Sequence, residues 1–154
     1  SGRLVQASRG ESTVEFAYNS LGLPVRETAD GNTILRTYDH TGRILTLDST
    51  TGASLRYTRN GYGELEGFTA TGGSDADGAG SWESSHRHDT LGFEVERILP
   101  GGVVRSFAYD DIGRLVDARI RKDSRTRHMR RYRWGVADRL LSVEDSRRGE
   151  TRYS

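Results

Sequence analysis

Along this chain, apolar and polar residues alternate in short runs with a period of two. In one such run Val116, Ala118 and Ile120 share a face, while Asp117, Arg119 and Arg121 share the other. A second run, Gly42-Arg43-Ile44-Leu45-Thr46-Leu47, is similarly short and rich in strand-forming residues. Between such runs lie turn formers: Asp30-Gly31-Asn32, Thr51-Gly52, Pro100-Gly101-Gly102 and Arg148-Gly149. Asp-Gly and Gly-Gly supply the positive φ that tight hairpin turns require. No 3.6-residue periodicity of any length is present. The pattern predicts an all-β chain of antiparallel hairpins without a long helix.

The hairpins repeat. Gly2-Arg3-Leu4 returns as Gly42-Arg43-Ile44 and Gly113-Arg114-Leu115, with looser copies at Gly22, Gly63, Gly92 and Asp138. Successive anchors are 20, 20, 21, 29, 21 and 25 residues apart. Four residues before the glycine stands a second anchor: Tyr18-Asn19, Tyr38-Asp39, His88-Asp89 and Tyr109-Asp110, with Arg59-Asn60 and Trp134-Gly135 as degenerate forms. Two residues earlier comes a third, usually aromatic: Phe16, Tyr57, His86, Phe107, Tyr132 and Tyr153. The unit is aromatic-x-Tyr-Asp-x-x-Gly-Arg-Leu. In it the Asp bonds turn amides, and the glycine takes the left-handed geometry. A period near 20 residues reads as a stack of supersecondary units, each needing its neighbours to cover its apolar face. Residues 1–154 thus form one array of about six units, anchored near Gly22, Gly42, Gly63, Gly92, Gly113 and Asp138. A Gly- and Ser-rich stretch, 71–81, accounts for the long spacing and reads as a flexible insertion at a hairpin tip.

Composition narrows this further. Apolar residues are only 33% of the chain, 19 glycines add to them, and mean hydropathy is −0.71. So thin an apolar supply disfavours a thick core and suits a single-layer sheet with water on at least one face. The longest apolar runs are three or four residues, which leaves no membrane span or signal-peptide core in this stretch. The absence of cysteine removes disulfides and thiolate metal sites.

Two of these segments, Arg36-Thr37-Tyr38-Asp39-His40-Thr41-Gly42-Arg43-Ile44 and Ser106-Phe107-Ala108-Tyr109-Asp110-Asp111-Ile112-Gly113-Arg114-Leu115, resemble the YD repeats of Rhs (rearrangement hot spot) proteins. The resemblance covers nearly the whole chain. It implies hairpins spiralling into a hollow shell that encloses a C-terminal toxin, in bacterial proteins secreted or delivered to a target cell. Such delivery is often by type VI secretion and serves competition between bacteria. The partners implied are the remaining shell segments and the encapsulated toxin domain, with self-association through open sheet edges. An Asp-Pro core motif, expected ahead of the toxin, does not occur, since Pro24 follows Leu23 and Pro100 follows Leu99. The chain therefore resembles an interior stretch of shell. Its structural anchors are Tyr18, Tyr38, Asp39, Gly42, Arg43, Asp89, Gly92, Tyr109, Asp110, Gly113 and Arg114. Tyr38 and Tyr109 are expected to stack on the equivalent aromatics of neighbouring units.

Little else points to chemistry. His86 and His88 could face one metal as alternate residues of a strand, but both fill aromatic slots of the repeat, and spacing suggests no third ligand. A Gly-x-Ser-x-Gly nucleophile turn is absent, and Asp39 and His40 belong to an anchor. Neither a catalytic set, a metal site nor a cofactor is expected. Charge is the strongest feature outside the repeat: residues 114–154 carry 13 Lys or Arg against 6 Asp or Glu. Within it Arg121, Lys122, Arg125, Arg127, Arg130, Arg131 and Arg133 interleave with Tyr132 and Trp134, a composition that can bind polyanions. Arginine recurs at such slots as part of the repeat, as in Arg56-Tyr57, so a solvated strand face lining the shell is the favoured reading over nucleic acid. Exposed tyrosines leave carbohydrate binding as a further alternative.

Overall fold

The computed structural model describes residues 2–72 and 80–153, which form fourteen β-strands and two short 3-10 turns. The strands are β1 (Gln6–Arg9), β2 (Ser12–Tyr18), β3 (Pro24–Ala29), β4 (Asn32–Tyr38), β5 (Ile44–Ser49), β6 (Ser54–Arg59), β7 (Leu65–Thr71), β8 (Ser81–His88), β9 (Glu94–Leu99), β10 (Val103–Tyr109), β11 (Leu115–Lys122), β12 (Arg125–Trp134), β13 (Leu140–Asp145) and β14 (Gly149–Arg152). The 3-10 turns are Pro100–Gly102 and Val136–Asp138. Of the insertion expected at 71–81, Thr71 closes β7 and Ser81 opens β8, while 73–79 lie outside the described residues.

The chain divides into two compact units, one of Ser1–Asn60 with Gly67–Glu83 and the other of Gly61–Glu66 with Ser84–Ser154. In the first, β1 to β6 pair antiparallel in chain order. In the second, β8 to β14 do the same. This is the all-β hairpin array that the alternating pattern predicts.

Register sorts the two faces of each unit, because directly opposed residues share a face. In the first unit, Phe16, Ile34, Leu47 and Leu55 lie along one face, and pairs such as Thr28–Thr33 and Thr37–Thr46 along the other. The hydroxyls of those two threonine pairs lie 3.1 and 2.8 Å apart. In the second unit, Phe107, Ala118, Tyr132 and Val143 are on one face and Asp117, Arg131 and Glu144 on the other. Among the described residues no apolar side chain is buried; the buried residues are Ser84, Ser142 and Asp145, each 5–7% exposed. The low apolar content thus matches a sheet whose apolar face is shielded by adjacent strands and not by a second layer.

The repeat also contains a bulge. The register slips by one residue just before Tyr18, Tyr38, His88, Tyr109 and Trp134. At each slip the partner strand carries one unpaired apolar residue: Val25, Leu45, Val95, Val116 or Leu141. A bulge re-aims the side chain beside it, and here that side chain is the ring of the second anchor.

Candidate functional site

Each regular turn is built around one carboxylate or amide oxygen. Asp39 Oδ1 accepts from the Thr41 amide (2.8 Å), the Thr41 hydroxyl (2.7 Å) and the Arg43 amide (2.9 Å). Asp89 Oδ1 takes the Leu91 and Phe93 amides, and Asp110 Oδ1 those of Ile112 and Arg114. Asn19 Oδ1 accepts the Leu23 amide in the same way. These bonds, the Thr41 hydroxyl foremost, hold the Asp39 carboxyl down at about 2. Asp110 is lowered too, chiefly by the Arg114 amide. Backbone bonds complete the turn: the Gly113 amide donates to the Asp110 carbonyl and the Asp110 amide to the Arg114 carbonyl.

Gly42 and Gly113 both sit at φ +85, where a side chain is strained. At Gly113 a second constraint applies, since a Cβ there would lie 2.5 Å from Cζ of Phe93. The residue after the glycine of one unit lies over the glycine of the next: Arg3 over Gly22, Leu23 over Gly42, Phe93 over Gly113. Gly92 is covered in the same fashion by Glu64, which occupies that position in its own unit.

The second-anchor rings tie units together. The Tyr18 phenol donates to the Leu4 carbonyl (2.7 Å), Tyr38 to Pro24 (2.6 Å) and Tyr109 to Glu94 (3.0 Å). In each case the acceptor lies two residues past the glycine of the preceding unit. Trp134 makes the same tie through its indole, Nε1 donating to the Leu115 carbonyl at 2.8 Å. The sequence reading places Tyr109 on the equivalent aromatic of its neighbour, and the structure corrects this. Tyr109 stacks on Phe93, centroids 4.8 Å apart, because the bulge turns the ring onto the preceding glycine turn. Arg114 crosses to the next turn similarly, reaching the Gly135 carbonyl at 3.1 Å and lying over the Trp134 ring. Its Nε meanwhile holds Asp110 Oδ2 at 2.8 Å.

Much of the basic stretch is engaged with carboxylates. Arg130 Nε donates to Asp145 (2.7 Å), Arg131 lies near Asp117 and Glu144 (3.7 and 3.5 Å), Arg121 near Glu96 (3.7 Å) and Arg127 near Asp123 (3.6 Å). Lys122, Arg125 and Arg133 lie on exposed positions of the β11–β12 hairpin. Asp145 also takes His128 Nε2 at 2.9 Å and the Arg147 amide, and its pKa lies well below the ordinary carboxylate range, led by the Arg130 bond.

One grouping escapes the motif search. On β8, Ser84 Oγ lies 2.8 Å from His86 Nε2, and His86 Nδ1 lies 2.8 Å from Glu94 Oε1 on β9. Arg97 then grips Glu94 through both carboxylate oxygens, at 2.8 and 2.6 Å. Burial pushes the Glu94 pKa up, but the Arg97 and His86 bonds outweigh it and the net direction is down. His86 is thus directed at a serine and a carboxylate. Its alternate neighbour His88 pairs across the bulge with Glu94 in the strand register. The signal available in the sequence lies in the repeat itself. At the positions of His86, Glu94 and Arg97, sister units carry residues such as Phe107, Leu115 and Ala118.

No family model and no curated protein matches the sequence. Solved structures do match in fold. The crystal structure of TcdB2-TccC3-Cdc42 superposes with a TM-score of 0.78 over 94% of this chain at 16% identity. That of TcdB2-TccC3 without its hypervariable C-terminal region gives 0.76 over 92% at 17%, and TcdB2-TccC3 gives 0.74 over 87% at 16%. In every case the chain spans 8% of the length of the chain it matches. In fold the chain is similar to these structures, and its repeat signature resembles the YD repeats of Rhs proteins.

Proposed function

We propose that the chain is a wall segment of a larger Rhs-type shell that encloses a C-terminal toxin or effector cargo and serves competition between bacteria. The observation that supports this best is the repeat-to-repeat tie. Four ring donors each bond the carbonyl two residues past the preceding glycine, so the units of Tyr18, Tyr38, Tyr109 and Trp134 are each registered on the one before. Such an array propagates by nearest-neighbour contacts, which is what a wall of arbitrary length requires. The fold shared with the TcdB2-TccC3 structures is consistent with the same role. The anchors Tyr18, Tyr38, Asp39, Gly42, Arg43, Asp89, Gly92, Tyr109, Asp110, Gly113 and Arg114 serve to hold the wall together. The Arg-rich hairpin is a charge-paired strand face, consistent with the ion pairs of Arg121, Arg127, Arg130 and Arg131. Among the described residues no helix is long and apolar enough to cross a membrane.

The test is a protease challenge of the full polypeptide that carries this array. The C-terminal region is expected to resist digestion while the array is intact and to become sensitive when Gly113→Val unfolds it. Digestion of that region at the same rate in both proteins would sink the enclosure reading.

A further inference from the structure

We propose that Ser84 is a nucleophile activated by His86, with Glu94 and Arg97 as its positioning residues, reactive toward activated acyl and phosphonyl groups. This inference is independent of the shell role. The Glu94 carboxylate can only accept, so the neutral His86 ring carries its hydrogen on Nδ1, and Nε2 is left to accept from the Ser84 hydroxyl. That is the order of contacts in which an imidazole takes a proton from a serine. Three further features hold it in place. Arg97 fixes both oxygens of Glu94, the Glu94 carbonyl is itself held by the Tyr109 phenol, and Ser84 and His86 lie on the same face of one strand.

The repeat supplies an internal control. In the equivalent hairpin around Gly22 the positions of Ser84, His86, Glu94 and Arg97 are held by Val14, Phe16, Pro24 and Glu27, and around Gly113 those of His86, Glu94 and Arg97 by Phe107, Leu115 and Ala118. The hairpin therefore forms with no serine, imidazole or carboxylate at the first three of these positions. Burying polar groups where an apolar set suffices costs stability, and residues that break a local rule without structural need concentrate at functional sites. His128 shows what a purely electrostatic arrangement looks like. It pairs with Asp145, whose other oxygen holds Arg130, and the carboxylate is capped by turn amides.

In the reaction Ser84 Oγ bonds to the electrophilic carbon or phosphorus while its proton passes to His86 Nε2. The leaving group departs, as fluoride from a fluorophosphonate or as an alcohol or phenol that takes up the proton from an ester. Ser84 is only 7% exposed, so the probe is a small fluorophosphonate.

The purified chain is incubated with that probe and the labelled peptide identified by mass spectrometry. A Ser84 adduct is expected. His86→Gln should slow its formation by about a hundredfold. Glu94→Gln should slow it and Glu94→Asp partly restore it, whereas Ser85→Ala, on the opposite face, should leave it unchanged. Circular dichroism melts confirm that the compared variants are folded. No Ser84 adduct in the folded wild-type chain, or an adduct whose rate survives His86→Gln, overturns the proposal.

Discussion

The turn at Tyr109–Gly113 and the turn at Trp134–Leu140 occupy the same place in successive repeats and are built differently. The first has an Asp that takes two amides, and a glycine at φ +85 with the Phe93 ring packed against it. The second has no Asp at the capping position. Its chain turns through a 3-10 segment in which Ala137 and Asp138 adopt φ of 53 and 55. Yet the indole of Trp134 reaches the preceding carbonyl as the Tyr109 phenol does, and both strands carry the bulge beside the ring. The turn's internal chemistry is replaceable, and the tie between units is what persists.

The contrast breaks most visibly at the glycine. Gly113→Val meets both a left-handed backbone and the Phe93 ring, and should cost roughly 2–5 kcal/mol in a thermal or urea melt. A loss below about 1 kcal/mol would show that this turn is as tolerant as its neighbour. Asp110→Ala comes next, because it strips the Ile112 and Arg114 amides of their acceptor. It should lower the melting temperature by a few degrees, whereas Asp138→Ala, which loses no turn amide but only a 3.4 Å contact with Arg114, should lower it less. A pair of substitutions tests the tie. Tyr109→Phe and Trp134→Phe both remove a donor, and each should cost about 0.5–1.5 kcal/mol. If only one does, the tie is not the common element.

Relief of strain should act in the opposite direction. Ala137→Gly removes a side chain from left-handed backbone and is expected to stabilise by roughly 0.5–1 kcal/mol, while glycine introduced for Ala108 should not. The smallest effect concerns acid. The Asp39 carboxyl is lowered to about 2 from 3.8, so its contribution is complete above about pH 4 and is lost as pH falls through about 2. Asp39→Asn keeps the acceptor that Asn19 uses in its own unit. It should be mild near neutrality and flatten the acid limb of a urea-midpoint profile between pH 5 and pH 2.

The fold was legible in the sequence because its determinants are local: alternation set the strands, glycine-bearing turns such as Asp30-Gly31 and Thr51-Gly52 most of the tips, and the recurring Tyr-Asp-x-x-Gly the opposite turns. The bulges were legible only in retrospect. Ile44-Leu45, Leu115-Val116 and Leu140-Leu141 place two apolar residues side by side, and a regular alternation would have sent one of them to the polar face. Ring stacking was misjudged for the same reason, since the slip in register aims Tyr109 at Phe93 and not at the equivalent aromatic. The Ser84–His86–Glu94 contacts depend on a register between two strands, so no linear motif encodes them. They become visible when the units are laid over one another and polar residues are found in apolar slots.

Pairing in chain order has a consequence for how the protein acquires its structure. Within each unit every strand finds its partners one strand before and one strand after it, and the ring-to-carbonyl ties span only 14 to 19 residues. No distant loop has to close before a contact rewards it, so sequence separation, which slows most β-proteins, imposes little delay here. Hairpins can be added as the polypeptide leaves the ribosome. Each new one completes its bonds on the edge already formed, so the strands between the first and the latest are already paired.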